Sequence, residues 1–361
     1  MSGRTSATTP AVGLPASRGR SAARGRAART VALALAGTAV LAGPGRAQAP
    51  APVTIAVGAP TAGALPLWLA ADRGCFAAEG LTADLRLLRN GQTTLAALLA
   101  GQVDVASVAA TQIVGPVVRG ADLVVVAGLV DRLPYRLVTA ARVRRPEDLK
   151  GGRIGVNSAS GAAQVAARLA LERLGLDPRR DRVWLVQIGP EPERLAALAA
   201  GSIDAALLSF DAEPRLPQAG IRTLVDLRTD GRPWLHTSLV TRRAVLRERP
   251  AVIRAVLRAA TAGLAVALDP AEAPAVRAVL RRRLGLDDPA ALDAVYRDFV
   301  AVLARNPVPR PEAAAGVLAA MASTAVLPGA AALRGEDLVE PAIMRALERE
   351  GWLERPTRPG R

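Results

Sequence analysis

Short apolar runs alternate with amphipathic stretches along residues 53–241. The run VTIAVG at 53–58 reads as a buried strand, and 67–76 has helical spacing. A second strand is expected at 83–88. Asn90-Gly91-Gln92-Thr93-Thr94 then reads as a loop ending in a helix N-cap, with the helix running to Ala100 and Gly101 as its stop. Strands follow at 103–108 and 123–129, around a short helix at 111–119. The pattern restarts with strands at 136–140, 153–156, 183–188, 205–209 and 223–227 and helices at 162–174 and 193–200. A strand at 239–241 is expected to return to the first half. Beyond Pro250 the pattern is helical, at 251–268, 272–284, 289–304, 312–322 and 337–349. Strands alternating with helices predict an α/β protein with parallel-type sheets, flanking helices and a helical C-terminal region.

One internal repeat stands out. TLAALLAGQVDVASV (94–108) and RLAALAAGSIDAALL (194–208) match without gaps at eight of fifteen positions. Each reads as a helix, a glycine stop, then Val/Ile-Asp and a strand. The shared Gly101/Asp104 and Gly201/Asp204 imply two halves of related topology with equivalent loops facing one cleft. The two aspartates are expected to hold the turn before the strand.

The N-terminus departs from this pattern. Residues 30–43 form an unbroken run of small and apolar residues, behind an arginine-rich segment without acids and ahead of Ala47-Gln48-Ala49. A basic segment, an apolar run of about 7–15 residues and a small-residue cleavage site define a secretory signal. The run is shorter than the roughly 20 residues that span a bilayer. Residues 1–49 are therefore expected to be a signal peptide and the mature protein to be periplasmic.

Charge and composition narrow the function. Seven of the fifteen net positive charges sit in residues 1–49, and Lys150 is the sole lysine. Elsewhere arginine alternates with Asp and Glu, which describes a solvated basic surface and not a nucleic-acid stripe. One cysteine, Cys75, and one histidine, His236, exclude an intramolecular disulfide and argue against structural zinc. No GxxxxGK, strand-linked GxGxxG, HExxH or GxSxG motif occurs, and no cofactor is expected. Cys75 reads as a packed thiol. His236 falls at the return crossing between halves, either as an ordinary satisfied histidine or as a hinge or cleft residue.

Candidate chemistry therefore rests on small polar loops at strand ends, where open α/β sheets bind ligands. They contain Thr61, then Asn90, Gly91 and Gln92, then Thr111, then Ser158, Ser160 and Gly161, then Asp211 and Glu213. Helix N-termini suit small anions, and Ser160-Gly161 is the foremost such position.

TIAVGAPTAGALPLWLAADRGCFAAEGL, LLRNGQTTLAALLAGQVDVASVAATQ, RRPEDLKGGRIGVNSASG and ERLAALAAGSIDAALLSFDAEP together resemble the periplasmic substrate-binding proteins of ABC importers. LVTRRAVLRERPAVIRAVLRA completes the resemblance, which covers about residues 53–268. It points to the branch that binds nitrate, sulfonates, taurine and thiamine-pyrimidine precursors. The resemblance implies the two-lobed type II periplasmic-binding-protein fold, with crossings near 131–136 and 234–237. It implies a signal at 1–49, a first lobe from 50–132, a second from 133–236, and a return with C-terminal helices over 237–361. It places ligand contacts at Thr61, Asn90, Gly91, Gln92, Thr111, Ser158, Ser160 and Gly161, with Asp211 and Glu213 available to a cationic group. It implies a monomer that delivers its solute to membrane permease and ATPase subunits, without catalysis. Cys75 stands where the family often has an aromatic, and ring side chains are scarce in these loops, although Trp68 could point into the cleft. An inorganic oxyanion or a small sulfonate or carboxylate fits better than a pyrimidine. An enzyme on the same fold, and an exported sensory subunit, are the alternatives.

Overall fold

The computed structural model describes residues 50–58, 62–88, 90–157, 162–189, 191–209, 221–229, 231–324 and 326–354. The expected signal segment lies outside them. The first half contains β1 (Ala51–Val57), α1 (Leu65–Asp72), α2 (Cys75–Ala78), β2 (Leu81–Leu87), α3 (Gly91–Leu99), β3 (Val105–Ala109), α4 (Ala110–Val118) and β4 (Leu123–Gly128). Gly74, at φ +68°, separates α1 from α2 where the periodicity had suggested one helix. The second half contains β5 (Tyr135–Thr139), β6 (Arg153–Val156), α5 (Ala162–Arg173), β7 (Trp184–Gln187), α6 (Glu191–Ala199), β8 (Ala205–Ser209) and β9 (Arg222–Asp226). Then come β10 (Thr237–Arg242), α7 (Arg243–Glu248), α8 (Pro250–Leu268), α9 (Ala273–Leu284), α10 (Pro289–Val302), α11 (Pro311–Ser323), α12 (Gly335–Leu338) and α13 (Ala342–Arg349).

Two five-stranded sheets result, in the orders β2-β1-β3-β10-β4 and β7-β6-β8-β5-β9. Each is mixed. β1, β2 and β3 run parallel, as do β6, β7 and β8. The fourth strand, β10 or β5, is antiparallel to both of its neighbours. The reason is the path of the chain. β4 ends at the same edge as β1 and β3, and the chain passes directly into β5 without a helical crossover. β5 therefore enters the second sheet from the edge at which β8 ends, and must run against it. β10 makes the reverse journey.

The sequence repeat is a structural repeat. Asp104 Oδ2 accepts from the Thr54 N–H at 3.0 Å, and Asp204 Oδ2 accepts from the Arg153 N–H at 2.7 Å. Each aspartate also holds an arginine: Arg249 donates to Asp104 at 2.8 Å and Arg142 to Asp204 at 2.9 Å. Gly101 (φ +73°) and Gly201 (φ +68°) take the left-handed conformation that ends α3 and α6. Asp104→Ala and Asp204→Ala are each expected to cost about 1 kcal/mol in urea unfolding, because a strand N–H and a guanidinium lose their acceptor, part-buried at Thr54 and exposed at Arg153. Asp84→Ala, which removes an exposed pair with Arg86, is the control and should stay within about 0.5 kcal/mol.

The C-terminal helices close the core around the first sheet and also reach the second. α8 is long and apolar enough to cross a membrane by composition, yet Ile253, Val256, Leu257, Ala260 and Leu264 are buried in the core. Its Gly263 lies on the backbone of α1 at Pro66 and Ala70. On α10, Asp298 accepts from Arg136 of β5 at 3.0 Å and from Arg228 at 2.5 Å; both arginines also hold Asp226. The helix expected at 337–349 is two helices. Val339 bridges to Val125 of β4, so the chain runs extended there, and Pro341 starts α13.

Candidate functional site

The parallel strands bring the loops after β1, β2 and β3 to one edge of the first sheet. Gly58 follows β1, and a side chain there would stand 3.0 Å from the Gly91 Cα. The two loops therefore touch through glycines. A side chain on Gly91 would in turn fall 2.1 Å from Gln112 Oε1, so Gln112 crosses over this glycine. Asn90 caps α3: its Oδ1 accepts from the Thr93 N–H at 2.9 Å and the Thr93 hydroxyl at 3.2 Å. Gln92 is exposed. Thr111 is 2% exposed, and its hydroxyl has no hydrogen-bond partner; Gln112 Oε1 is likewise buried without one. Buried polar groups without partners are uncommon in folded proteins.

At the second sheet the strand ends carry charge. Ser209, the last residue of β8, donates through its N–H at 3.0 Å and its hydroxyl at 2.8 Å to the Glu191 carboxylate. Arg194 is 2% exposed. It donates to the carbonyls of Leu207 at 3.0 Å and Gly189 at 2.5 Å, and stands 3.3 Å from Glu191. Burial pushes its guanidinium down, and the Glu191 charge opposes that shift. Thr94, at the equivalent repeat position of α3, is fully buried. The repeat alignment was thus the one sequence signal for Arg194: a polar residue occupies a core position in both halves.

His236 and Tyr135 join the two sets. The Tyr135 hydroxyl lies 3.0 Å from His236 Nε2, with the rings edge to face at 5.3 Å. His236 Nδ1 lies 3.2 Å from the Thr237 hydroxyl. The His236 carbonyl accepts from the Ala110 N–H at 3.1 Å, beside Thr111. Tyr135 is also close enough to Arg194 to act on its charge. Burial pushes the imidazole down to about 4. The folded state therefore holds His236 neutral where the unfolded chain protonates it. Stability should fall by about 1–2 kcal/mol from pH 6.5 to pH 5 through this group. His236→Gln should lack that loss, as read by urea unfolding at the two pH values; the test is clean because this is the only histidine.

Of the predicted contacts, Gly91 and Thr111 come together with Gln112, Asn90 caps its own helix beside them, and Gln92 faces solvent. Thr61, Ser158, Ser160, Gly161, Asp211 and Glu213 lie outside the described residues. Trp68 does not point into the cleft. It is 5% exposed, packed in the core of the α1 side, with the Arg283 guanidinium 5.7 Å from its ring. Cys75 is half-buried against the same core, and burial pushes its thiol up. Among the described residues no group of three or more His, Cys, Asp or Glu could hold a metal ion.

Residues 62–273 match the NMT1/THI5-like family, and the chain belongs to that family. No curated protein matches it. Solved structures share the fold. The periplasmic aliphatic sulphonate binding protein SsuA of Escherichia coli has a TM-score of 0.63 and 22% identity over 77% of this chain and 86% of its own. The periplasmic nitrate-binding protein NrtA of Synechocystis PCC 6803 has a TM-score of 0.65 and 13% identity, over 86% and 92%. The desulfurization enzyme DSZB also shares it, at a TM-score of 0.56 and 19% identity over 82% and 99%. The architecture is that of the periplasmic binding proteins.

Proposed function

We propose that this protein is the exported solute-binding component of an ABC importer. It holds one small anion, a sulfonate or an inorganic oxyanion, between its two sheets and passes it to the permease and ATPase subunits. The observation that carries this reading is the pair of buried, partnerless groups on Thr111 and Gln112 at the converging strand ends. A Gln amide offers either its oxygen or its N–H groups by turning over, and a threonine hydroxyl turns likewise. Both can donate to an anion. Arg194 supplies a buried positive charge at the facing strand ends, partly neutralised by Glu191. Closure of the two lobes over the solute would shift the population toward a form that docks on the permease.

The fold shared with SsuA and NrtA supports this class of ligand, and the signal-like N-terminus supports a periplasmic location. DSZB makes an enzyme the second reading. Against a catalytic role for His236, both of its ring nitrogens already have neighbours at hydrogen-bond distance, Tyr135 and Thr237. A thermal-shift panel of alkanesulfonates, taurine, nitrate, sulfate, bicarbonate and small carboxylates tests the proposal. A ligand at 1,000 times its Kd stabilises by about 4.1 kcal/mol. One anion should raise Tm clearly and be recovered unchanged after incubation; its conversion to product would establish the enzyme reading instead.

A further inference from the structure

A cavity of about 370 Å³ is lined by none of the strand-end groups of the candidate site. We propose that it is a binding site for an organic anion with an apolar body. Its walls come from both crossings between the sheets, at 131–133 and 231–235, and from the segment between α10 and α11. It sits beside Gly128 at the end of β4 and Leu227 just after β9, the edge strands of the two sheets. The candidate solute groups instead follow the inner strands β1, β3 and β8, and none of them lines this cavity.

The lining has two parts. Leu133, Trp234, Leu235 and Val308 form a buried apolar surface. Trp234 is 1% exposed, and its indole N–H has no hydrogen-bond partner. That donor is unsatisfied in the free protein. Around it stand five arginines against one acid, Asp131. Arg228 is already held by Asp226 and Asp298. Arg305 and Arg310 are exposed and have no ion-pair or hydrogen-bond partner among the described residues. Burial pushes the Asp131 carboxyl up, while Arg132 and Arg310 pull it down. Apolar walls with the exposed guanidinium groups of Arg305 and Arg310 at their rim suit a molecule with an anionic end and an apolar body. A bare inorganic ion would leave the apolar part of the cavity unused.

The probe is naphthalene-2-sulfonate, titrated into the purified protein by calorimetry and by tryptophan fluorescence. The expected result is saturable binding that the R305E/R310E variant weakens at least tenfold. W234F should weaken it several-fold and abolish most of the fluorescence response. Q112A, at the solute groups, should leave it unchanged. Both arginines are exposed, so the double variant should keep its circular-dichroism spectrum; if its folding fails, R310Q carries the same prediction at about threefold. Three results would overturn the proposal: no binding at millimolar probe, equal affinity in the arginine variants, or binding lost in Q112A but kept in R305E/R310E. The last would place the probe at the solute groups, so this site can fail while the importer reading stands.

Discussion

Gly263→Ala is expected to lower the melting temperature by about 4–8 °C, at roughly 2–4 °C per kcal/mol for a chain of this size. Alanine is the better helix former by about 1 kcal/mol, so propensity alone predicts the opposite sign. Packing decides the outcome. A methyl group on Gly263 would stand 2.0 Å from the Pro66 carbonyl oxygen and 2.8 Å from the Ala70 nitrogen. Both are backbone atoms of α1 and cannot swing aside as a side-chain end would. α1 must move off α8, and Leu65, Leu67, Trp68 and Leu69 are all buried in the core they share. Forcing such a core apart costs about 3 kcal/mol. Gly115→Ala in α4 is the control. Its added methyl would meet Arg119 at 3.4 Å and Leu327 at 3.9 Å, ordinary contacts, so propensity decides there and Tm should rise by about 2–4 °C. Calorimetric melting of both variants decides; an unchanged Tm for Gly263→Ala would show that the α1–α8 contact yields.

Gln112→Ala is expected to weaken solute binding on the order of 10–100-fold without loss of stability. A hydrogen bond to a charged ligand contributes about 1.5–3 kcal/mol, which sets that range. The absence of a stability cost is the sharper half of the prediction. Gln112 Oε1 is buried and has no hydrogen-bond partner, so removing it breaks no hydrogen bond of that atom in the free protein and relieves a desolvation penalty that offsets the packing lost over Gly91. Thr111→Val, which keeps the shape and removes the hydroxyl, should behave alike for the same reason. Gly91→Ala should also weaken binding, because its methyl would displace the Gln112 side chain. Titration calorimetry with the stabilising anion, beside melting curves, separates the outcomes. Wild-type affinity in Gln112→Ala and Thr111→Val would remove these groups from the binding site. Equal losses of affinity and stability would make them structural.

Much of this architecture is legible locally. Strands 153–156 and 205–209 are read to the residue, because each is an apolar run bounded by clear turn signals. The repeat is legible because Gly-x-[Val/Ile]-Asp encodes one physical device: a left-handed stop, then a carboxylate that receives the N–H of the neighbouring strand. Asn90 carries its capping signal three residues from the N–H it accepts. Strand direction is less legible. Nothing local to 135–139 or 237–242 says that these strands oppose their neighbours; that follows from the crossings. The Arg136–Asp226–Arg228–Asp298 cluster joins residues up to 162 positions apart and has no local signature. Arg194 reads as one more surface arginine on α6 until β8 folds beside it. Trp68 is ambiguous for a related reason: its helix is apolar on every side, and only the C-terminal helices decide which face is covered.

If one small anion occupies the space between the two sheets, native mass spectrometry of the purified protein will detect it. One anion from the panel should bind one per chain, either already present on purification or after addition. That adduct should need about 10–100 times more anion to reach the same occupancy in Gln112→Ala and should persist unchanged in R305E/R310E. A spectrum without any adduct across the panel, or an adduct that Gln112→Ala, Thr111→Val and Gly91→Ala all leave intact, would contradict it.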